Sequence, residues 1–244
     1  MDFLNDVLVW LNDPGNWRGS RGIIARLLEH LQYSATALVV ACLLALPVAT
    51  WLGHKRRFGA VAVNVANAGR AIPSVAFIFL AAIIFGISQI PVAGPIASFI
   101  ALSALAIPPL VTNAYVAVAE VGDDVRDAAK GMGLSEWQVL SRVELPLAMP
   151  LIMAGVRTAA VQVVATASIV AVVGAGGLGR FIIDGYAVQD DVRVFAGALL
   201  VALLSLATEI VFAVLQRALT PKGLRAKEPV TAAVVPAVPT GEMA

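Results

Sequence analysis

The stretch AIPSVAFIFLAAIIFGISQIPVAGPIASFIALSALAIPPLVTNAYVAVA, Ala71 to Ala119, carries no charged residue in 49 positions. A single α-helix of that length would extend about 73 Å, more than twice the ~30 Å hydrocarbon core of a bilayer. The stretch must therefore fold back within a membrane. SQIPVAGP, Ser88 to Pro95, supplies the proline and glycine for that turn. Composition agrees: 59% of the 244 residues are hydrophobic, only 14% are charged, and mean hydropathy is +0.87. Soluble domains carry about 25% charged residues. The fold class is all-α and polytopic.

Working outward, Ser34 to Gly53 is a charge-free run of 20 residues and makes the first span. The two halves of Ala71 to Ala119 make the second and third. Apolar stretches from about Pro150 to Val173 and from about Val194 to Gln216 make the fourth and fifth. Gly59 to Arg70 is only 12 residues long and contains Asn64 and Asn67, so it reads as a lead-in to the second span, with Pro73 kinking the join. Residues 1–33 form an N-terminal segment outside or at the interface, residues 34–217 the transmembrane domain, and residues 218–244 a cytoplasmic, disordered tail.

Lys and Arg in short loops set orientation. HKRR after the first span, the loop Glu120 to Pro146 (Arg126, Lys130 and Arg142) and the segment Arg217 to Lys227 all carry Lys or Arg, whereas Ser88 to Pro95 holds none. Placing all three basic segments inside fits five spans with the N-terminus outside. Arg18, Arg21 and Arg26 then lie outside, which an amphipathic helix around Arg21 to Leu31, lying on the membrane, would accommodate. The acidic N-terminus lacks the basic region and long apolar core of a signal peptide, so it is expected to stay on the chain.

Several function classes fall away. A net charge of +1 gives no basic surface for nucleic acid. A single cysteine, Cys42, and two distant histidines, His30 and His54, give neither disulfide nor metal-ligand spacing. VVGAGGLGRF, Val172 to Phe181, holds a literal G-x-G-x-x-G at Gly174, Gly176 and Gly179, with Gly177 between. A dinucleotide site needs a strand before it and a carboxylate about 20 positions on. Here the glycines close a charge-free run, and Asp184, Asp190 and Asp191 come too early. Neither a nucleotide cofactor nor any other is indicated in this chain.

Most polar residues of the central chain sit in one cytoplasmic loop, residues 120–146: EVGDDVRDAAKGMGLSEWQVLSRVELP. It reads as two short helices around a turn at Gly131 and Gly133, with Ser135 as N-cap and Pro146 as the end of the second helix. Trp137, Leu140 and Val143 recur at i, i+3 and i+6 and form one apolar stripe. By helix propensity alone it is an ordinary solvated loop.

The spacing of Asp127, Ala128 and Ala129, then Gly133, Val143, Leu145 and Pro146 is similar to the E-A-A-x3-G-x9-I-x-L-P signature of bacterial ABC importer permeases. Asp127 stands for the usual Glu and Val143 for Ile. RAIPSVAFIFL (Arg70 to Leu80), RVELPLAMPLIMAGVRTA (Arg142 to Ala159) and GAGGLGRFIIDGY (Gly174 to Tyr186) resemble the permease subunits of importers for glycine betaine, choline, carnitine or proline. Methionine-importer permeases share the general pattern but fit these flanks less well.

The resemblance implies a type I importer permease fold in the bacterial cytoplasmic membrane, with 120–146 forming a coupling helix. ATP would be bound by separate ATPase subunits, since the chain has no phosphate-binding G-x4-G-K-[ST] loop. The remaining implied partners are an extracytoplasmic substrate-binding protein and a second permease, either a copy or a sister chain. Ala128, Ala129 and Gly133 are small enough to let a partner approach, and Leu134 and Trp137 could anchor it. The glycines at 174–179 would lie at the outer end of the fourth span, permitting a sharp turn and close helix approach where the pathway shuts.

Arg157 lies ~10 Å and Glu209 ~12 Å from the inner ends of their spans. Charges at that depth usually find each other, so the two are expected to pair. An ion-driven secondary transporter is the rival reading. It would call for internal repeats and several intramembrane carboxylates, whereas Glu209 is the single one here and no repeat is evident. Paired carboxylates, histidine clusters or nucleophile constellations for an enzyme are absent near the spans.

Overall fold

The computed structural model describes residues 2–57, 59, 61, 63, 64, 68, 69, 73–86 and 93–221. Among these there are helices and no strand. Two short helices, α1 (Asp2–Asn12) and α2 (Pro14–Trp17), lead into α3 (Ile23–Lys55). Next come α4 (Ser74–Gly86) and α5 (Ala93–Ala119). The loop helices α6 (Asp123–Gly131) and α7 (Glu136–Val139) follow, then a π-turn (Leu140–Glu144) and α8 (Leu145–Thr166). A 3-10 turn (Ile169–Val173), α9 (Gly179–Ala187) and α10 (Asp191–Leu219) complete the described chain.

Among the described residues, four helices are long and apolar enough to cross a membrane: Ile23–Lys55, Pro95–Ala119, Glu136–Thr166 and Asp191–Leu219. The expected second span differs. α4 has 13 residues, ~20 Å of rise, well short of the hydrocarbon core. It starts directly after Pro73. Of the lead-in Gly59 to Arg70, residues 59, 61, 63, 64, 68 and 69 are described and helical; the others lie outside the described residues, as do most of the Ser88 to Pro95 turn and the tail from Lys222.

The first span also begins earlier than expected. α3 runs unbroken for 33 residues, ~50 Å, so Arg21 to Leu31 forms no separate surface helix. With no glycine or proline between Ile23 and Leu46, nothing in the sequence ends the helix at residue 33.

Helix packing follows residue size. Ala37, Ala41, Ala45 and Ala49 recur every fourth residue on α3 and are fully or almost fully buried. Small side chains at that spacing let α5 approach closely, and its Ala97, Ala101, Ala106 and Ala114 are fully buried. Gly53 continues the stripe: a Cβ there would stand 2.7 Å from the Tyr115 carbonyl oxygen. The opposite face of α3 exposes Leu43, Leu44 and Val48, and α10 exposes Leu206, Ile210 and Val214. Without a hydrophobic drive between helices in lipid, large side chains face outward and small ones meet. The order of packed neighbours is α3, α5, α8, α10, with α4 against α5 and α9 against α10.

The two ends of the bundle are chemically distinct. The end of α3 at Lys55 and Arg56 touches the loop helices, and α5 ends and α8 begins there. The start of α3 meets the glycine-rich turn at the other end.

Candidate functional site

α6 ends through Gly133, at φ +83°. The Gly133 N–H donates to the Lys130 carbonyl (2.9 Å) and the Leu134 N–H to the Ala129 carbonyl (3.2 Å). This paired closure of a helix end requires a left-handed residue, which glycine supplies without a Cβ penalty. Space is not the constraint, since a Cβ at Gly133 would meet no atom within 4 Å. α7 then starts with a capping box in which the Ser135 N–H donates to Gln138 Oε1 at 2.8 Å.

The turn carries an open apolar surface. Met132 is 74% exposed and Trp137 65% exposed, beside exposed Asp127, Ala128 and Gly133 and half-buried Leu134. Ala129 corrects the expectation that it meets a partner. It is buried against its own chain at 2% exposure, where its small side chain seats α6 on the bundle.

The second loop helix does not end at Pro146. The π-turn resets the hydrogen-bond register at Leu140–Glu144, and Pro146 falls in the first turn of α8. There its missing N–H costs little, against about 3 kcal/mol in a helix interior. The π-turn also breaks the expected stripe: Leu140 is buried, Val143 half-buried, and Trp137 points away from the bundle. Leu145 and Pro146 are half-buried at the base of α8.

Behind this surface lies a buried polar cluster that sequence reading missed. The Glu144 side chain is fully buried. Its Oε2 lies 2.7 Å from His54 Nδ1, and its Oε1 lies 3.1 Å from Arg126 Nε. Arg126 donates further to the carbonyl oxygens of Val118 (2.6 Å) and His54 (3.2 Å). Three elements are thus tied together: the end of α3, the end of α5 and the α6 to α8 loop. At the rim, Arg56 donates to Asp123 (2.5 Å) and to the carbonyls of Ala119 (3.1 Å) and Val121 (2.8 Å), and Lys55 pairs with Glu136. The signals available were a carboxylate between Val143 and Leu145 at the mouth of a span, and a histidine closing another.

At the opposite end, the glycines of 174–179 form a turn held by the start of α3. The Gly177 N–H donates to Glu29 Oε2 at 2.8 Å, and the Leu178 N–H to His30 Nδ1 at 3.3 Å. His30 is fully buried, and its Nε2 lies 2.8 Å from the Val164 carbonyl oxygen. The imidazole therefore bridges α8 to the turn with Nδ1 accepting and Nε2 donating. Gly174 and Gly177 have φ of +85° and +90°. A Cβ on Gly179 would run into the Ser168 carbonyl, and one on Gly176 into Glu29. Glu29 also pairs with Arg26 at 2.7 Å, so one of the three arginines expected outside has a local partner.

Arg157 and Glu209 meet across α8 and α10. Arg157 Nε donates to Glu209 Oε1 at 2.8 Å, while Gln216 Nε2 donates to the Pro150 carbonyl at 3.0 Å about two turns below. Both charged side chains are about one-third exposed, at 36% and 37%. The exchange Arg157→Glu with Glu209→Arg is therefore expected to restore assembly or transport lost in each single variant. Membrane level and uptake of all three variants check this, and near-normal singles with no rescue would mean that each charge reaches the interface alone. Among the described residues no group of three or more metal-ligating side chains occurs.

Residues 37–221 match the family described as binding-protein-dependent transport system inner membrane component. The chain is 29% identical over 203 residues to the glycine betaine/carnitine/choline transport system permease protein OpuCB of Bacillus subtilis, covering 83% of this chain and 91% of that protein. It is 32% identical over 197 residues to the osmoprotectant import permease protein OsmW of Salmonella typhimurium, covering 81% and 91%. Among solved structures, a chain of the inward-facing MetNI methionine ABC transporter superposes with a TM-score of 0.70 at 20% identity, covering 82% of this chain and 96% of its own.

Proposed function

Because the chain belongs to the family of binding-protein-dependent transport system inner membrane components, we propose that it is the membrane-spanning permease of an ATP-driven osmoprotectant importer. Glycine betaine, choline, carnitine or proline would be its cargo. The observation that carries the reading is the α6–α7 turn. It presents Met132 and Trp137 to the outside of the molecule, while Glu144, Arg126 and His54 fix its inner side to three helix ends. A solvated loop has no use for a buried ionic anchor. A loop that must pass force from a partner to the spans does.

The partners follow from the same reading. ATPase subunits engage the turn from the cytoplasm, and closure of the ATPase pair moves the anchored helix ends as rigid bodies. A binding protein delivers solute at the outer end, and a second permease, a copy or a sister, completes the pathway in the bilayer. This chain hydrolyses no ATP itself. The relatives' names favour osmoprotectants, while the likeness to the methionine transporter speaks for the fold.

Substrate class is tested by uptake. Cells expressing the permease with its ATPase and binding protein, in a strain lacking other osmolyte importers, should accumulate labelled betaine, choline, carnitine or proline at high osmolarity. Labelled methionine should not accumulate. Methionine uptake without osmolyte uptake would replace the osmoprotectant reading by the amino-acid one.

A further inference from the structure

The open side of α8 differs from the lipid-facing sides of α3 and α10. Beyond Leu151, it presents Ala154, Thr158, Gln162 and Ala165 at exposed or half-exposed positions, where α10 presents Leu206, Ile210 and Val214. Lipid contact favours the second set and has no use for a carboxamide. Against this side lies a cavity of about 370 Å³ between α4, α5 and α8, lined by Pro73, Ser74, Leu105, Pro108, Thr158 and Gln162 among others. Among the described residues, none that lines it is charged. Thr158 stands ~20 Å along a helix of ~33 Å, so the cavity is near the middle of the bilayer.

Hydrogen bonding marks two of the lining groups as available. The Thr158 hydroxyl donates to the Ala154 carbonyl at 3.0 Å and so satisfies its own backbone. The Gln162 carboxamide and the Ser74 hydroxyl have no hydrogen-bond partner among the described residues. Polar groups at this depth are costly to leave unpaired in lipid. They face something that takes their hydrogen bonds. The first turn of α4 opens on the same cavity through Ser74, and the N-terminal end of a helix favours an anionic group.

We propose that this cavity is where solute crosses the middle of the membrane, with Ser74 and Gln162 donating to the carboxylate of a small zwitterion. The proposal deepens the osmoprotectant reading and rests on it. Hydroxyl and amide N–H donors, together with a helix N-terminus, address a carboxylate. Glycine betaine and carnitine have no N–H on their quaternary ammonium to offer in return, so for them the carboxylate end is the one recognised; choline, which lacks a carboxylate, gains no such hold. The volume lies at the low end of small-molecule sites, about 300–1,000 Å³. The described walls carry no charge, and a weak hold suits a site that must release what it admits. The competing occupant is a second permease seated directly against α8.

The test uses the complete transporter with its ATPase and binding protein in a Cys42→Ser background. Gln162→Cys and the lipid-facing Leu206→Cys are probed during uptake with a trimethylammonium-ethyl thiosulfonate, itself a small quaternary cation. Gln162→Cys should react, read as the mass added to the purified permease, and saturating glycine betaine with binding protein should slow the reaction. Leu206→Cys should stay unreactive. Gln162→Leu should lower betaine uptake about tenfold or more, the usual effect of losing a hydrogen bond to a charged group. Its membrane level and ATPase co-purification should be unchanged, and Gln162→Asn should recover part of the uptake. No reaction at position 162 with or without ATP would overturn the proposal, as would a 162–162 disulfide between two permeases with normal uptake by Gln162→Leu. A parent transporter that moves methionine and no osmolyte would displace the functional reading instead, leaving the cavity to be judged on labelling at 162.

Discussion

Gly133→Asp and Trp137→Ala should leave the permease in the membrane at near-normal levels while the ATPase no longer co-purifies and osmolyte uptake collapses. Trp137 is exposed at the tip of the loop, so its removal opens no cavity in the bundle. At an interface, a central tryptophan costs about 2 kcal/mol or more when truncated, a ~30-fold loss of association. Gly133→Asp places a charge on the same surface. It also puts a side chain at φ +83°, where an L-residue pays about 1–2 kcal/mol. Gly133→Asn separates the two contributions, because asparagine enters the left-handed region more readily and brings no charge. The asparagine variant should retain most ATPase and uptake, and the aspartate variant little of either. Normal ATPase association in Gly133→Asp and Trp137→Ala would mean that the turn is a solvated loop.

Glu144→Ala should do the opposite, with the loss appearing in the permease itself. The substitution leaves Arg126 and His54 facing a gap at the junction of α3, α5 and α8. Removing one partner of a buried ion pair costs about 3–5 kcal/mol, because the remaining charge stays desolvated. Arg126 keeps its two carbonyl partners, which places the expected loss at the lower end of that range. The measurement is permease abundance and thermal aggregation in detergent: abundance should fall severalfold and the aggregation temperature should drop. Glu144→Gln, which keeps the shape and one acceptor, should be milder. Unchanged abundance and aggregation temperature in Glu144→Ala would show that the cluster holds nothing together.

Trp137 and Glu144, seven residues apart on one continuous helical segment, also show what the sequence discloses. The absence of charge from Ala71 to Ala119 was enough to place the chain in a membrane, because lipid tolerates few charges and no other solvent imposes that condition. The loop was legible through its motif, and Gly133 through the demand of a helix end for a left-handed residue. The ionic cluster was not. His54 and Glu144 are 90 residues apart, and only the packing of α3 against α5 and α8 joins them. The glycines at 174–179 form a turn whose latch, Glu29 and His30, lies 148 residues upstream of the backbone groups it holds, a distance no local reading spans. Pro146 misled for a local reason. A proline normally ends a helix, yet a π-turn shifted the register so that it fell at the first turn of the next. Ala129 misled because small residues serve close approach on either face of a helix, and the inner face claimed it.

The claim that this chain is the membrane path of an ATP-driven importer is tested most directly in proteoliposomes. The permease is reconstituted with its ATPase subunits, with the binding protein and labelled glycine betaine inside the vesicle or out as orientation requires. The account predicts accumulation that needs ATP, the ATPase and the binding protein together, that survives a protonophore and a sodium ionophore, and that is lost in Gly133→Asp. Accumulation by the permease alone, driven by an imposed ion gradient and indifferent to ATP, would contradict it.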